Sequence, residues 1–159
     1  FARMCNERGS CSRRRCREMV KEALPAFEEI EHTADLALQV YGKDPKELFA
    51  HAAQGMFSLM QCAPQEGAEP FSCAVELTGY DLEGLLVDWL NELLYLSERE
   101  GVCFEDFEIE ELTESRLSAR ARGKRPCVLG KGIKAATFFD LQVVQRPDGY
   151  YEATVTFDV

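Results

Sequence analysis

Residues 81–101 read DLEGLLVDWLNELLYLSEREG, and this stretch decides the fold class. Leu82, Leu85, Leu86, Trp89, Leu90, Leu93 and Leu94 recur at the spacing of one helix face, a broad apolar stripe that needs a surface to cover it. Asp81 stands where a capping carboxylate meets free helical amides, and Gly101 stands where a left-handed residue ends a helix. Stripes of this kind form cores far more often than cofactor pockets. Upstream, residues 71–79 (FSCAVELTG) read as a strand, and Pro64, Gly67 and Pro70 mark a loop before it. Asp44-Pro45-Lys46-Glu47 opens an earlier helix: an aspartate cap, a proline suited to the first turn and a glutamate at capping-box spacing. Within it Leu48, Ala52, Met56 and Met60 share one face, with Phe49, Ala53 and Phe57 beside them. Earlier still, Leu36, Leu38 and Val40 alternate with Ala37, Gln39 and Tyr41, a strand with one buried face.

Downstream of the long helix the chain is β-rich. Phe107 and Ile109 alternate with acids, and Leu117, Ala119 and Ala121 alternate with Ser118, Arg120 and Arg122. GKRPCVLGKG (123–132) reads as a loop, residues 133–145 as a strand, and Arg146-Pro147-Asp148-Gly149 as a turn. In the last strand Tyr151, Ala153, Val155 and Phe157 take one face and Glu152, Thr154, Thr156 and Asp158 the other. Strands and helices thus alternate, with both helices lying on a sheet.

The length of 159 residues suits one domain, and 46% hydrophobic with 29% charged residues supports a real core rather than wholesale disorder. No apolar run approaches the roughly 20 residues that cross a bilayer. With 18 Lys+Arg against 28 Asp+Glu the net charge is −10, which argues against tight nucleic-acid binding by the whole surface and favours cations and basic partners. The cysteines, Cys5, Cys11, Cys16, Cys62, Cys73, Cys103 and Cys127, are odd in number and contain no CxxC pair. That pattern points to a reducing compartment, with Cys103 and Cys127 as packing residues. No ligand spacing supports a zinc site, so a metal here is expected to be a hard cation held by oxygen.

Charge is unevenly spread. Residues 1–24 hold seven basic and three acidic side chains, whereas the remaining 135 hold 11 basic and 25 acidic, a net of −14. A basic arm on RNA is the sharp reading of this segment; a tail without fixed structure, or a start placed too early with Met19 as the true first residue, is the plainer one. No apolar run follows Arg13-Arg14-Arg15, as a secretory signal requires, and the acids among the arginines argue against a transit peptide.

Three polar clusters remain. They are Glu31-His32-Thr33-Ala34-Asp35 between two strands, Lys134 to Asp140 after a glycine-rich loop, and Asp158 followed by Val159, whose α-carboxylate ends the chain. Asp158, the Val159 carboxylate and a third group such as Asp35 offer much of a hard-cation shell. From spacing alone the plainer reading is that Asp35 caps a turn, His32 packs inward and the end of the chain frays. His51 reads as a helix-boundary residue, and Gly130-Lys131-Gly132 lacks the frame of a phosphate loop.

Together, EIEHTADLALQVYG (29–42), ELFAHAAQGMF (47–57), LLVDWLNELLYL (85–96), KGIKAATFFDLQV (131–143) and ATVTFDV (153–159) resemble the archease family, in family order and across nearly all of residues 26–159. The sequence departs at Phe139, where the family commonly has histidine; His32 is then the one histidine of the set. The resemblance implies an α+β fold, a compact two-layer sandwich in which two main amphipathic helices pack on a mixed β-sheet. It implies a domain over 26–159, with 1–25 as a basic extension expected to be disordered. It also implies a non-catalytic accessory protein. Such a protein activates an RtcB-type RNA ligase, promoting guanylylation and multiple turnover in tRNA splicing and RNA repair. It would act in the cytoplasm, meeting GTP and RNA only through the ligase, without a membrane. The metal ligands carried over are Asp35, Asp158 and Val159, for Ca²⁺, Mg²⁺ or Mn²⁺; the functional residues are Lys134 and His32. Two rivals remain: a metal-dependent hydrolase that uses the same carboxylates with His32 as base, and a chaperone-like protein-binding module that recognises proteins broadly through exposed apolar surface.

Overall fold

A computed structural model describes residues 24–31 and 36–159; residues 1–23 and the stretch His32–Asp35 lie outside the described residues. The first sheet begins with β1 (Phe27–Glu31) and β2 (Leu36–Gly42), paired antiparallel. Helix α1 (Pro45–Leu59) follows, started as its sequence predicts: the Asp44 carboxylate accepts from the Glu47 amide at 2.8 Å. Glu47 reaches back to the Lys43 amide at 3.1 Å, just ahead of the cap, so the bonds run both ways across this helix entrance. Gln61, at φ 51°, turns the chain out of α1 into β3 (Ala63–Thr78).

Helix α2 (Leu82–Glu100) is capped by Asp81, which accepts from the Gly84 amide at 2.7 Å, and ends at Gly101 in the left-handed region. There the Ser97 hydroxyl donates to the Val102 carbonyl at 2.6 Å and locks the exit. β4 (Cys103–Leu112), β5 (Arg116–Val128), β6 (Ala135–Thr137), β7 (Val144–Gln145) and β8 (Tyr151–Asp158) complete the chain.

The α+β class holds, but the expected single mixed sheet is two sheets in which every pairing is antiparallel. One has the order β1-β2-β8-β6, with β7 also on β8; the other has the order β3-β5-β4. Both helices touch both sheets: α1 packs on β2 and β4, α2 on β6, β3 and β5. One core results, joining Leu38 and Phe157 of the first sheet, Leu117 and Phe107 of the second, and Met56, Leu86 and Leu90 of the helices. At its centre the buried Trp89 indole donates to the Phe49 carbonyl at 3.0 Å, tying α2 to α1.

Four local readings change. β2 buries both faces, because Ala37 and Tyr41 are covered as well as Leu38 and Val40. The stretch Pro64–Pro70 is strand rather than loop: β3 is a sheet edge, where a proline lacking an N–H removes no ladder bond, and an irregularity between Pro64 and Glu69 absorbs the turn signals. Residues 123–128, read as loop, continue β5. The strand expected over 133–145 is interrupted: β6 stops at Thr137, residues 138–143 leave the sheet through Asp140 at φ 50°, and β7 resumes along the same flank of β8 in the same direction.

Trp89→Phe keeps an aromatic ring but loses the buried indole donor that ties α2 to the Phe49 carbonyl, and leaves space where the larger ring packed. We expect a loss of about 1–3 kcal/mol in denaturant unfolding. Tyr80→Ala, at a fully exposed position, should stay within about 0.5 kcal/mol.

Candidate functional site

Pairing register brings several chain segments to one end of the first sheet. Phe157 of β8 lies opposite Leu36, the first residue of β2, and Leu36 also lies opposite Glu31, the last residue of β1. On the other flank Asp158 lies opposite Ala135, and the Lys134 amide donates to the Asp158 carbonyl at 2.8 Å. Lys134, Asp158 and Val159 are therefore neighbours along this edge, all exposed. His32 and Asp35 lie outside the described residues, and their covalent neighbours Glu31 and Leu36 face each other at the same end.

Lys134 and Val159 line a cavity of about 830 Å³, together with Asn91, Leu94, Tyr95 and Ile133. Its walls are mostly apolar, and its charged side chains are Lys134 and Glu98. No ion pair among the described residues involves Lys134. Tyr95, Leu129 and Val159 are exposed. An apolar surface carrying one lysine beside a carboxylate-bearing strand end can receive a partner's side chains and offer a cation to a phosphate.

Sequence reading missed the residue that fixes this arrangement. Asn91, on α2, accepts from the Ala136 amide at 2.8 Å and donates to the Ala136 carbonyl at 3.2 Å. This double bond pair clamps the short β6, and with it the adjacent Lys134, against the helix. The available signal was an amide side chain beside the apolar stripe of α2, where a polar group needs a partner. The glycine-rich loop has its own anchor: the Gly130 and Lys131 amides both donate to the Met60 carbonyl, at 3.2 and 2.9 Å, and so are engaged within the protein rather than turned to an anion. Phe138 and Phe139 are exposed on the turn that follows β6.

The cysteines also depart from expectation. Cys62 and Cys103, 41 residues apart, form a disulfide. Cys127 donates to the Cys62 sulfur at 3.6 Å, and burial raises its thiol above the usual range. Strand register causes the convergence: Cys127 lies opposite Pro64 on β3, and Cys103 lies opposite Lys124 on β5. Three sulfurs within 4.8 Å of one another form a group that could hold a metal. Spacing along the chain carried no trace of it, and neither Cys103 nor Cys127 is merely a packing residue.

With this geometry in hand, comparison with known proteins is direct. The Archease protein family profile matches residues 27–159. Protein archease of Methanosarcina acetivorans is 37% identical over 141 residues, covering 84% of this chain and 95% of that one. Protein archease of Thermococcus gammatolerans is 36% identical over 144 residues, covering 84% and 98%. Among solved structures, protein 1598 of Methanobacterium thermoautotrophicum superposes with a TM-score of 0.66 at 30% identity, covering 84% of this chain and 99% of that one. The archease of Thermotoga maritima, at 22% identity and a TM-score of 0.59, shares the fold. The chain belongs to the archease family.

The Asn91 clamp has a measurable signature. Asn91→Ala should cost about 1–3 kcal/mol, since the freed Ala136 groups lose a half-buried partner. It should also speed hydrogen exchange over residues 135–137 well beyond that of β2.

Proposed function

We propose that this chain is a non-catalytic activator of an RtcB-type RNA ligase, promoting ligase guanylylation and multiple turnover in tRNA splicing and RNA repair in the cytoplasm. One observation carries the reading: in an archease-family chain, Lys134 and Val159 line the apolar cavity and Lys134 is bonded through its amide to Asp158. A lysine held in this way can reach a phosphate, and the apolar walls can seat part of the ligase. The excess of acidic side chains beyond residue 24 complements a basic, RNA-handling enzyme, so that GTP and RNA are met through the ligase.

The metal reading has support in the donor chemistry. Asp158 is an exposed carboxylate at the end of β8, and Leu36, covalently next to Asp35, lies opposite Phe157, covalently next to Asp158. Asp35, Asp158 and the Val159 carboxylate are oxygen donors, the set that Ca²⁺, Mg²⁺ or Mn²⁺ takes. Bound there, the cation supplies positive charge that phosphate oxygens share. His32, three residues before Asp35 in the sequence, is suited to hydrogen-bond a carboxylate or phosphate.

The test is RNA ligation by the same organism's ligase, limiting in amount, with GTP and divalent cation, with and without this protein. Stimulated multiple turnover is expected. Lys134→Ala should lower stimulation by about tenfold or more, equivalent to about 1.4 kcal/mol of lost contact, while leaving the thermal midpoint in place. Asp158→Asn should raise the divalent-cation concentration that full stimulation needs. Removing residues 1–24 should change neither stability nor stimulation. Undiminished stimulation by a folded Lys134→Ala protein would overturn the role of that residue. Phosphoester turnover without any ligase would favour the hydrolase reading, and ligase-independent suppression of aggregation that ignores Asp35 substitution would favour the chaperone reading.

A further inference from the structure

We propose that Cys62, Cys103 and Cys127, when reduced, form a zinc-binding site separate from the carboxylate end of the first sheet. The three sulfurs lie within 4.8 Å of one another, two of them joined as the disulfide. The Cys127 and Cys62 sulfurs are 3.6 Å apart. A tetrahedral zinc with Zn–S bonds of about 2.3 Å sets its sulfurs about 3.8 Å apart, so this spacing is already that of two ligands on one ion. Thiolates are soft donors that select zinc over the hard cations suited to Asp158.

Rigid elements hold each ligand. Cys127 sits within β5, in register with Pro64. Cys103 opens β4, directly after the α2 exit that Ser97 locks. Gly123 on β5 makes room for it, because a Cβ there would run into the Cys103 carbonyl. Cys62 is delivered by the left-handed Gln61 at the end of α1. A cavity of about 220 Å³ adjoins the cluster, lined by Cys62 and Cys103 with Ser58, Gln54 and Glu105. It leaves the fourth tetrahedral position to a water molecule, as in zinc sites with three protein ligands.

The disulfide and the ion exclude each other. A cellular dithiol breaks the Cys62–Cys103 bond, closes to its own disulfide and leaves two thiols. Zinc then displaces one proton from each of the three thiols and holds three thiolates. Metal release followed by oxidation, with a small-molecule disulfide as acceptor, returns the bonded form and two equivalents of reduced thiol.

The experiment uses the full chain, reduced by a phosphine under anaerobic conditions and titrated with Co²⁺ as a spectroscopic probe. A thiolate-to-cobalt charge-transfer band should grow to saturation at one equivalent and be bleached by Zn²⁺. Cys127→Ser and Cys62→Ser should lose the band, whereas Cys73→Ser and the combined Cys5, Cys11 and Cys16→Ser variant should keep it. The unmutated protein gives a second readout that no folding defect can obscure. Zn²⁺ should shield Cys62, Cys103 and Cys127 from iodoacetamide while Cys73 is alkylated, and should raise the thermal midpoint of the reduced but not the oxidised form. Absence of the band, its persistence in folded Cys127→Ser, or alkylation of all three cysteines despite saturating Zn²⁺ would each overturn the proposal.

Discussion

The hydrogen bonding of β8 is the constraint on which the rest of this molecule depends. β8 pairs with β2 on one side and with β6 and β7 on the other, so segments more than a hundred residues apart in sequence must meet before the first sheet exists. The strand is short, and its ladder bonds contribute modestly one by one. What secures it is burial: Ala153, Val155 and Phe157 lie beneath the helices, and even Thr156 is covered. The helices in turn lay their Leu and Met faces on this sheet and on the second one. Sheet, helices and second sheet therefore stabilise one another as a unit, which fits the single continuous core.

The candidate site inherits its geometry from this unit. Asp158 is the last residue of the central strand, Lys134 precedes the strand that flanks it, and Asn91 pins that flank to α2. Each of these residues sits on, or is bonded to, a buried element; Asp158 and Lys134 are exposed, and Asn91 is half-buried. The sulfur cluster lies on the second sheet and draws its three members from the end of α1, the start of β4 and the end of β5. The two sites are joined through backbone: Met60, two residues before Cys62, accepts both amides of the loop that leads to Lys134.

Much of the fold was legible because its signals are local. Asp44 and Asp81 cap the helices, Gly101 ends one, and the apolar spacing within each helix reports its buried face. Readings failed where tertiary contact outweighs local pattern. Pro64 and Pro70 look like breakers, yet at a sheet edge they cost nothing. Phe138 and Phe139 look like strand residues, yet they stand in solvent after a three-residue strand. Lys134, Asp158 and Val159 were singled out through a family resemblance; spacing alone favoured a plainer account of the strand end. Asn91 and the cysteine cluster stayed hidden for a different reason. Strand register gathers the cysteines and helix-on-strand packing sets Asn91 against Ala136, and both are properties of pairs of segments that no single segment displays.

The long outer strand β3 has a consequence for life at high concentration. Its free side would offer a second protein chain a rail of backbone donors and acceptors, the template on which strands of separate molecules zip together. Pro64 and Pro70 delete two of those donors, and the irregularity between Pro64 and Glu69 breaks the rail's straight line. Glu66, Glu69 and Glu76 add a row of like charge along the same strand. A copy of the molecule approaching edge to edge meets missing bonds, a kink and electrostatic repulsion together. The features that disguised this segment as a loop are the same ones that keep the protein from growing its sheet into a neighbour.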